Sequence, residues 1–237
     1  MNNKSLIKKV KNLPVPILPT MVGAFTLSNI YSGMGYTWVR HITAWAAIAV
    51  ILSYILKICF HFDTVKKEYS NTVPASLYAG FTMLTMLLGS YFYNASPVFG
   101  KTLWFVGLIL HAIQILVFTY NNVIKNFNMQ TFLPSWFVTY NGIMVSTVVG
   151  GVMNEPLIGK IVVYYGIAVF TVIIPFMIYR LAKHEIKDPV YHTQAILLAP
   201  SSLCLVSYLN FISTPNKFII YYLYCAVICA LIFILIK

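Results

Sequence analysis

Residues 74–92 read PASLYAGFTMLTMLLGSYF, and residues 102–121 read TLWFVGLILHAIQILVFTYN. Neither stretch holds an Asp, Glu, Lys or Arg, and only Lys101 stands in the nine residues between them. A helix rises ~1.5 Å per residue and the hydrocarbon core of a bilayer is ~30 Å thick, so about 20 such residues span it. The two stretches predict a membrane-crossing helical hairpin. Its first arm carries a proline, glycines and hydroxyls, and its second arm is much more uniformly apolar.

The same pattern extends in both directions. Eight windows read as spans: 15–33, 41–60, 74–92, 102–121, 134–153, 161–179, 193–212 and 218–236. The connections are short and leave no room for a soluble domain, which predicts one all-α membrane domain over residues 1–237. Of the 237 residues 59% are hydrophobic and 9% charged, against about 25% charged in a soluble domain. Helices are expected throughout, because a segment in lipid must satisfy its own backbone hydrogen bonds and nothing here alternates like a barrel strand. The basic N-terminal residues are not read as part of a cleaved signal, since the apolar run behind them carries Pro16 and Pro19 and continues to Ile30.

A formal charge of +11 would suit a nucleic-acid partner, but the basic residues sit in short loops between spans, where they set topology. One side holds Lys4, Lys8, Lys9, Lys11, Lys57, Lys66, Lys67, Lys125, Arg180, Lys183, Lys187 and Lys237; the other holds Arg40, Lys101, Lys160 and Lys217. This bias predicts N- and C-termini in the cytoplasm and a multi-pass protein of the cytoplasmic membrane. Trp38, Trp45, Trp104 and Trp136 fall near window ends, as interfacial anchors do. The mixed charges at 63–68 and 183–188 read as solvated turns. Cys59, Cys204, Cys225 and Cys229 lie in apolar windows without metal-type spacing and read as small buried filler. No metal or cofactor is expected.

The odd-numbered windows hold 9, 7, 9 and 7 residues of Pro, Gly, Ser, Thr, Asn or Gln, and the even ones 2, 5, 3 and 0. The odd windows start at 15, 74, 134 and 193, with Pro16, Pro74 and Pro134 near three of those starts. A hairpin thus repeats four times, which predicts odd helices inside and even helices outside. The candidates for lining a polar path are Pro19, Thr26, Ser28, Thr82, Thr85, Asn141, Ser146, Pro200, Ser201 and Ser202. For any single hydroxyl, a bond back to its own helix is the simpler reading; their confinement to alternate spans is what carries weight. Pro19, Pro175 and Pro200 fall inside windows and should each free a carbonyl. His111 lies mid-span, where a bond to a neighbouring helix, with Gln114 one turn away, is simpler than a proton relay. No motif of hydrolase, metalloprotease or nucleotide chemistry is present, and no enzyme is expected.

Three stretches resemble the tellurite-resistance and C4-dicarboxylate transporter family, which includes the slow-type anion channels. They are Pro14-Val15-Pro16-Ile17-Leu18-Pro19 running to Gly23, Val65-Lys66-Lys67-Glu68-Tyr69 followed by Val73-Pro74 through Gly89, and Leu198-Ala199-Pro200-Ser201-Ser202 continuing to Ser207-Tyr208. The resemblance implies hairpins around a pore lined by odd helices, transport of small anions such as chloride, nitrate, sulfite or dicarboxylates, and a homo-trimer. It also implies a fifth hairpin, which at this step would begin near position 252, beyond Lys237. The reading is a shortened member lacking that hairpin and the gating phenylalanine it carries. The alternative is a non-conducting membrane subunit or a truncated remnant of such a transporter.

Overall fold

The computed structural model describes residues 8–186 and 188–236. Lys4, Lys187 and Lys237, with both chain ends, lie outside the described residues, so that part of the topology reading stays a sequence expectation. Among the described residues all regular structure is helical.

The helices are α1 Ile17–Gly33, α2 Thr37–Phe60, α3 Phe62–Tyr69, α4 Thr72–Leu77, α5 Ala79–Tyr93 and α6 Pro97–Thr119. They continue as α7 Trp136–Tyr140, α8 Val145–Val148, α9 Pro156–Lys183, α10 Leu198–Phe211 and α11 Lys217–Ile236. Six stretches are long and apolar enough to cross a membrane: Thr37–Phe60, Thr72–Tyr93, Pro97–Lys125, Pro156–Lys183, Asp188–Phe211 and Lys217–Ile236. Each overlies one of the expected windows.

The other two windows differ from an unbroken span. The first forms α1, whose 17 residues reach about 25 Å, a little short of the hydrocarbon core. The fifth does not form one helix. It runs as α7, a 3-10 turn Gly142–Met144, α8 and a second 3-10 turn Gly150–Met153, ending at Asn154 with φ 54°. Gly142, Gly150 and Gly151 and the β-branched run around Val145–Val149 explain the breaks, since both residue classes are poor helix formers. Irregular backbone survives at membrane depth only when protein covers it or it lines a wet cavity. Here its first part is covered, with every residue from Phe132 to Thr147 buried, while Gly151, Val152 and Asn154 at its end are exposed.

The prolines also divide. Pro19 and Pro200 fall in the first turns of α1 and α10, where a missing N–H costs little, and Pro175 alone lies inside a helix. From Asp188 to Leu197 the chain is 3-10, so the seventh window changes helix type near its start, at Leu198.

Burial is uneven. Thr72–Tyr93 has 78% of its most apolar stretch buried, and Lys217–Ile236 has 6%. Glycine makes the deep packing of α5 possible. A Cβ on Gly89 would stand 2.7 Å from Trp104 N, and one on Gly100 would stand 2.5 Å from Tyr93 N, so the backbones of α5 and α6 touch there. Small residues replace the missing hydrophobic drive between helices in lipid by letting backbones approach closely.

The chain divides into two compact units, up to Leu110 and from His111, with the division inside α6. Each is described by itself.

Candidate functional site

In the first unit, the sequence-derived path candidates lie on α1 and α5. Ser28, Thr82 and Thr85 are buried, and Pro19 and Thr26 are half-buried. Their hydroxyls donate along their own helices: Thr26 to Val22 O at 2.8 Å, Ser28 to Phe25 O at 2.6 Å, Thr82 to Ala79 O at 2.8 Å and Thr85 to Phe81 O at 2.9 Å. Gly80 lets α5 meet the start of α1, where its absent Cβ would stand 2.8 Å from Pro19 N.

A charged lock sits at the lysine-rich end of this unit. Lys57 Nζ donates to Glu68 Oε1 at 2.8 Å and to Leu13 O at 2.7 Å. Tyr78 donates to Glu68 Oε2 at 2.5 Å, and Tyr54 to Pro14 O at 2.9 Å. Residues 63–68 are helical rather than a turn, with Asp63, Lys66 and Lys67 exposed, but Glu68, on α3, pairs with a Lys57 side chain of 0% exposure. A buried ammonium needs such a partner, because leaving water costs several kcal/mol per ion. At the opposite end, His41 Nδ1 lies 2.8 Å from the Tyr91 hydroxyl, and the Arg40 guanidinium stands 5.8 Å from the Tyr91 ring centre.

In the second unit, Asn141, Ser146, Pro200 and Ser201 are buried and Ser202 is half-buried. Ser201 and Ser202 both donate to Leu198 O, at 3.1 and 2.8 Å. Asn141 joins three segments. Its Nδ2 donates to Gly166 O at 3.0 Å and approaches Met144 Sδ and Cys204 Sγ, each at 3.7 Å. Beside it, Thr147 Oγ1 lies 2.6 Å from Ser207 Oγ on α10. His111 is fully buried, and its Nε2 donates to Thr139 O at 2.8 Å; a bond to a neighbouring segment is present, through that carbonyl.

The chemistry follows from the direction of these bonds. Each hydroxyl that donates to its own helix turns lone pairs, not hydrogen, toward whatever passes. An anion needs hydrogen-bond donors, so a hydroxyl would have to swing off its carbonyl, at roughly 1 kcal/mol net for each bond given up. No cluster able to hold a metal ion occurs among the described residues.

Several features were missed or misread in the sequence. Cys204 is a buried partner of Asn141, while Cys59, Cys225 and Cys229 are exposed on outer helix faces rather than serving as filler. Trp38 and Trp45 are exposed as anchors should be, but Trp104 and Trp136 are 2% exposed. The backbone at Trp104 packs against Gly89, and Trp136 satisfies its indole by donating to Thr131 O at 2.7 Å.

A sequence profile of SLAC1, the voltage-dependent anion channels, matches residues 17–236. The chain belongs to the SLAC1 family. The SLAC1 match runs from the first residue of α1 to the last of α11, so it takes in both units. A curated relative, the tellurite resistance protein TehA homolog of Haemophilus influenzae, is 24% identical over 169 residues, covering 69% of this chain and 50% of the relative. The chain thus spans half the length of the curated relative it matches. As a SLAC1-family protein with six long apolar helices, it is a membrane protein.

Proposed function

We propose that this chain moves small anions across the membrane, as a channel or carrier for chloride, nitrate or sulfite, or for C4-dicarboxylate-like acids. The match to the voltage-dependent anion channels over residues 17–236 carries the reading. The path runs along the odd-numbered spans past Pro19, Thr26, Ser28, Thr82, Thr85, Asn141, Ser146, Pro200, Ser201 and Ser202. In support, none of these ten is charged, and the hydroxyls bonded to their own helices suit weak, rapidly reversed contact with an anion. Lysines and arginines outnumber acids by 16 to 5, which raises the local concentration of anions at low ionic strength.

The finer arrangement belongs to the same proposal: eight crossings as four hairpins, odd helices inside and even outside, both termini cytoplasmic, in a homo-trimer of the cytoplasmic membrane. The contrast between the buried Thr72–Tyr93 and the outward Lys217–Ile236 supports the layering. A second reading, a non-conducting subunit or a remnant, is favoured by the closed hydrogen bonding of the candidate hydroxyls. Flux from liposomes holding the purified protein, with external chloride replaced in turn by nitrate, sulfite and malate, separates the two. Anion-dependent flux supports transport, and helical protein with no flux above empty vesicles rejects it.

A further inference from the structure

An apolar groove of about 510 Å³ opens on the second unit, walled by the end of α6, the segment leading into α7, and α9. Val123, Phe127, Trp136, Tyr140, Val172 and Phe176 line it. The six residues Tyr120–Lys125 form a π-helical turn, which widens the end of α6 where the groove opens.

The polar atoms that border the groove are already committed elsewhere. Trp136 Nε1 donates to Thr131 O, Thr119 donates to Ile115 O at 2.7 Å, and the Tyr140 hydroxyl is bonded to Thr119 Oγ1 at 2.9 Å. A polar ligand would therefore lose its water without replacement, whereas hydrocarbon loses nothing. One end of the groove is cationic. Lys125 is exposed there, and Arg180 follows Phe176 by one helical turn, with exposed Lys183 just beyond.

Arg180 is 3% exposed and donates from Nε to Met129 O at 2.8 Å, the carbonyl of a groove residue, and from Nη1 to His184 O at 2.7 Å. Its Nη2 also lies 3.5 Å from Gln130 O and 3.4 Å from Glu185 O, so backbone carbonyls solvate the charge, but among the described residues no carboxylate pairs with it. Glu185 and Asp188 lie further along the chain and line a separate polar cavity with Lys183 and His184.

We propose that this groove is a binding site for one acyl chain of a bilayer phospholipid, with the lipid phosphate drawn to the Lys125–Arg180 end. An apolar slot closed to polar ligands, ending in exposed Lys125 and in an arginine that no carboxylate pairs, is the complement of that amphiphile. The bound chain braces Trp136 and Tyr140, and so the broken segment that leads to Asn141. The site does not depend on what the protein transports.

The test uses acyl-chain-brominated phosphatidylglycerol, whose bromines quench tryptophan on contact. Trp38, Trp45 and Trp104 are each changed to Phe, leaving Trp136 as the reporter. Fluorescence in brominated vesicles is expected to fall to half or less of that in plain phosphatidylglycerol vesicles, and Ala168→Phe, which fills the groove, should restore it. Equal fluorescence in both vesicles overturns the proposal, as does quenching that survives Ala168→Phe. Disulfide formation between copies carrying Val172→Cys assigns the groove to a second chain and also overturns it. Should the triple variant fail to fold, native mass spectrometry of the unmodified protein takes its place: a phospholipid retained through detergent exchange and lost in Ala168→Phe supports the site, and equal retention rejects it.

Discussion

Lys57 Nζ lies 2.8 Å from Glu68 Oε1 with the Lys57 side chain fully buried, and the same ammonium holds Leu13 O. One charge thus fastens α2, α3 and the strand of chain entering α1. Removing one partner leaves the other uncompensated, so Lys57→Met should cost about 3–5 kcal/mol. Lys57→Met with Glu68→Gln should cost clearly less than the two singles together, because they share one interaction. Thermal unfolding of the detergent-solubilised variants measures both. An additive double variant would mean that the pair is not coupled.

The contact of α5 with α6 at Gly89 and Gly100 has no slack. A methyl at Gly100 would meet the Tyr93 backbone at 2.5 Å, and backbone cannot rotate away as a side chain can. Gly100→Ala should destabilise by about 1–3 kcal/mol or more. Gly23→Ala, with open space around its Cβ position, should be neutral or slightly stabilising as helix propensity rises. Size-exclusion profiles after a heating series give the comparison.

Arg40 stands over Tyr91 beside His41, at the end away from the lysine lock. If anions enter there, Arg40→Gln should lower flux severalfold at low ionic strength, and the deficit should shrink as salt shortens the screening length to about 8 Å near 0.15 M. A deficit that does not change with salt would place Arg40 in structure instead of steering.

How much of this was legible in the sequence depended on whether the deciding force was local. Charge-free runs of about 20 residues mark spans because lipid acts on each run separately, and six came out as long helices within a few residues of their windows. Where partners distant in the chain decide, sequence reading failed. Lys57 and Arg180 looked like loop charges, yet carbonyls at Leu13 and Met129 bury them. Trp104 looked like an anchor, yet it is 2% exposed where α5 and α6 meet backbone to backbone. The break at 134–153 was present as glycine and β-branched content, but that its first part, to Thr147, would be buried throughout depended on packing around it. The hydroxyl candidates were named for their confinement to alternate spans, and the bond back to the own helix, the simpler reading of any single hydroxyl, is what Thr26, Ser28, Thr82 and Thr85 make.

Those bonds make Thr82→Val informative, since valine keeps the shape and removes only the hydroxyl. The bond to Ala79 O is local, so stability should change by about 1 kcal/mol or less. Flux should fall if the hydroxyl swings to a passing anion. An unchanged flux at unchanged stability would remove Thr82 from the path.

Asn141 offers the sharpest contrast between structure and transport. Its amide donates to Gly166 O, and its Oδ1 has no donor among the described residues. Asn141→Leu leaves Gly166 O unpaired in the interior and should cost about 1–3 kcal/mol. Asn141→Asp keeps the shape but sets an oxygen against the Gly166 carbonyl, two acceptors face to face, and removes the donor which that carbonyl holds. It should cost stability comparably, and a passing anion would meet an added acceptor in place of a donor, so chloride flux per folded protein should fall severalfold. Unfolding temperature and chloride flux of the two variants measure both. If stability falls while flux per folded protein holds steady, Asn141 is a packing residue and does not line the path.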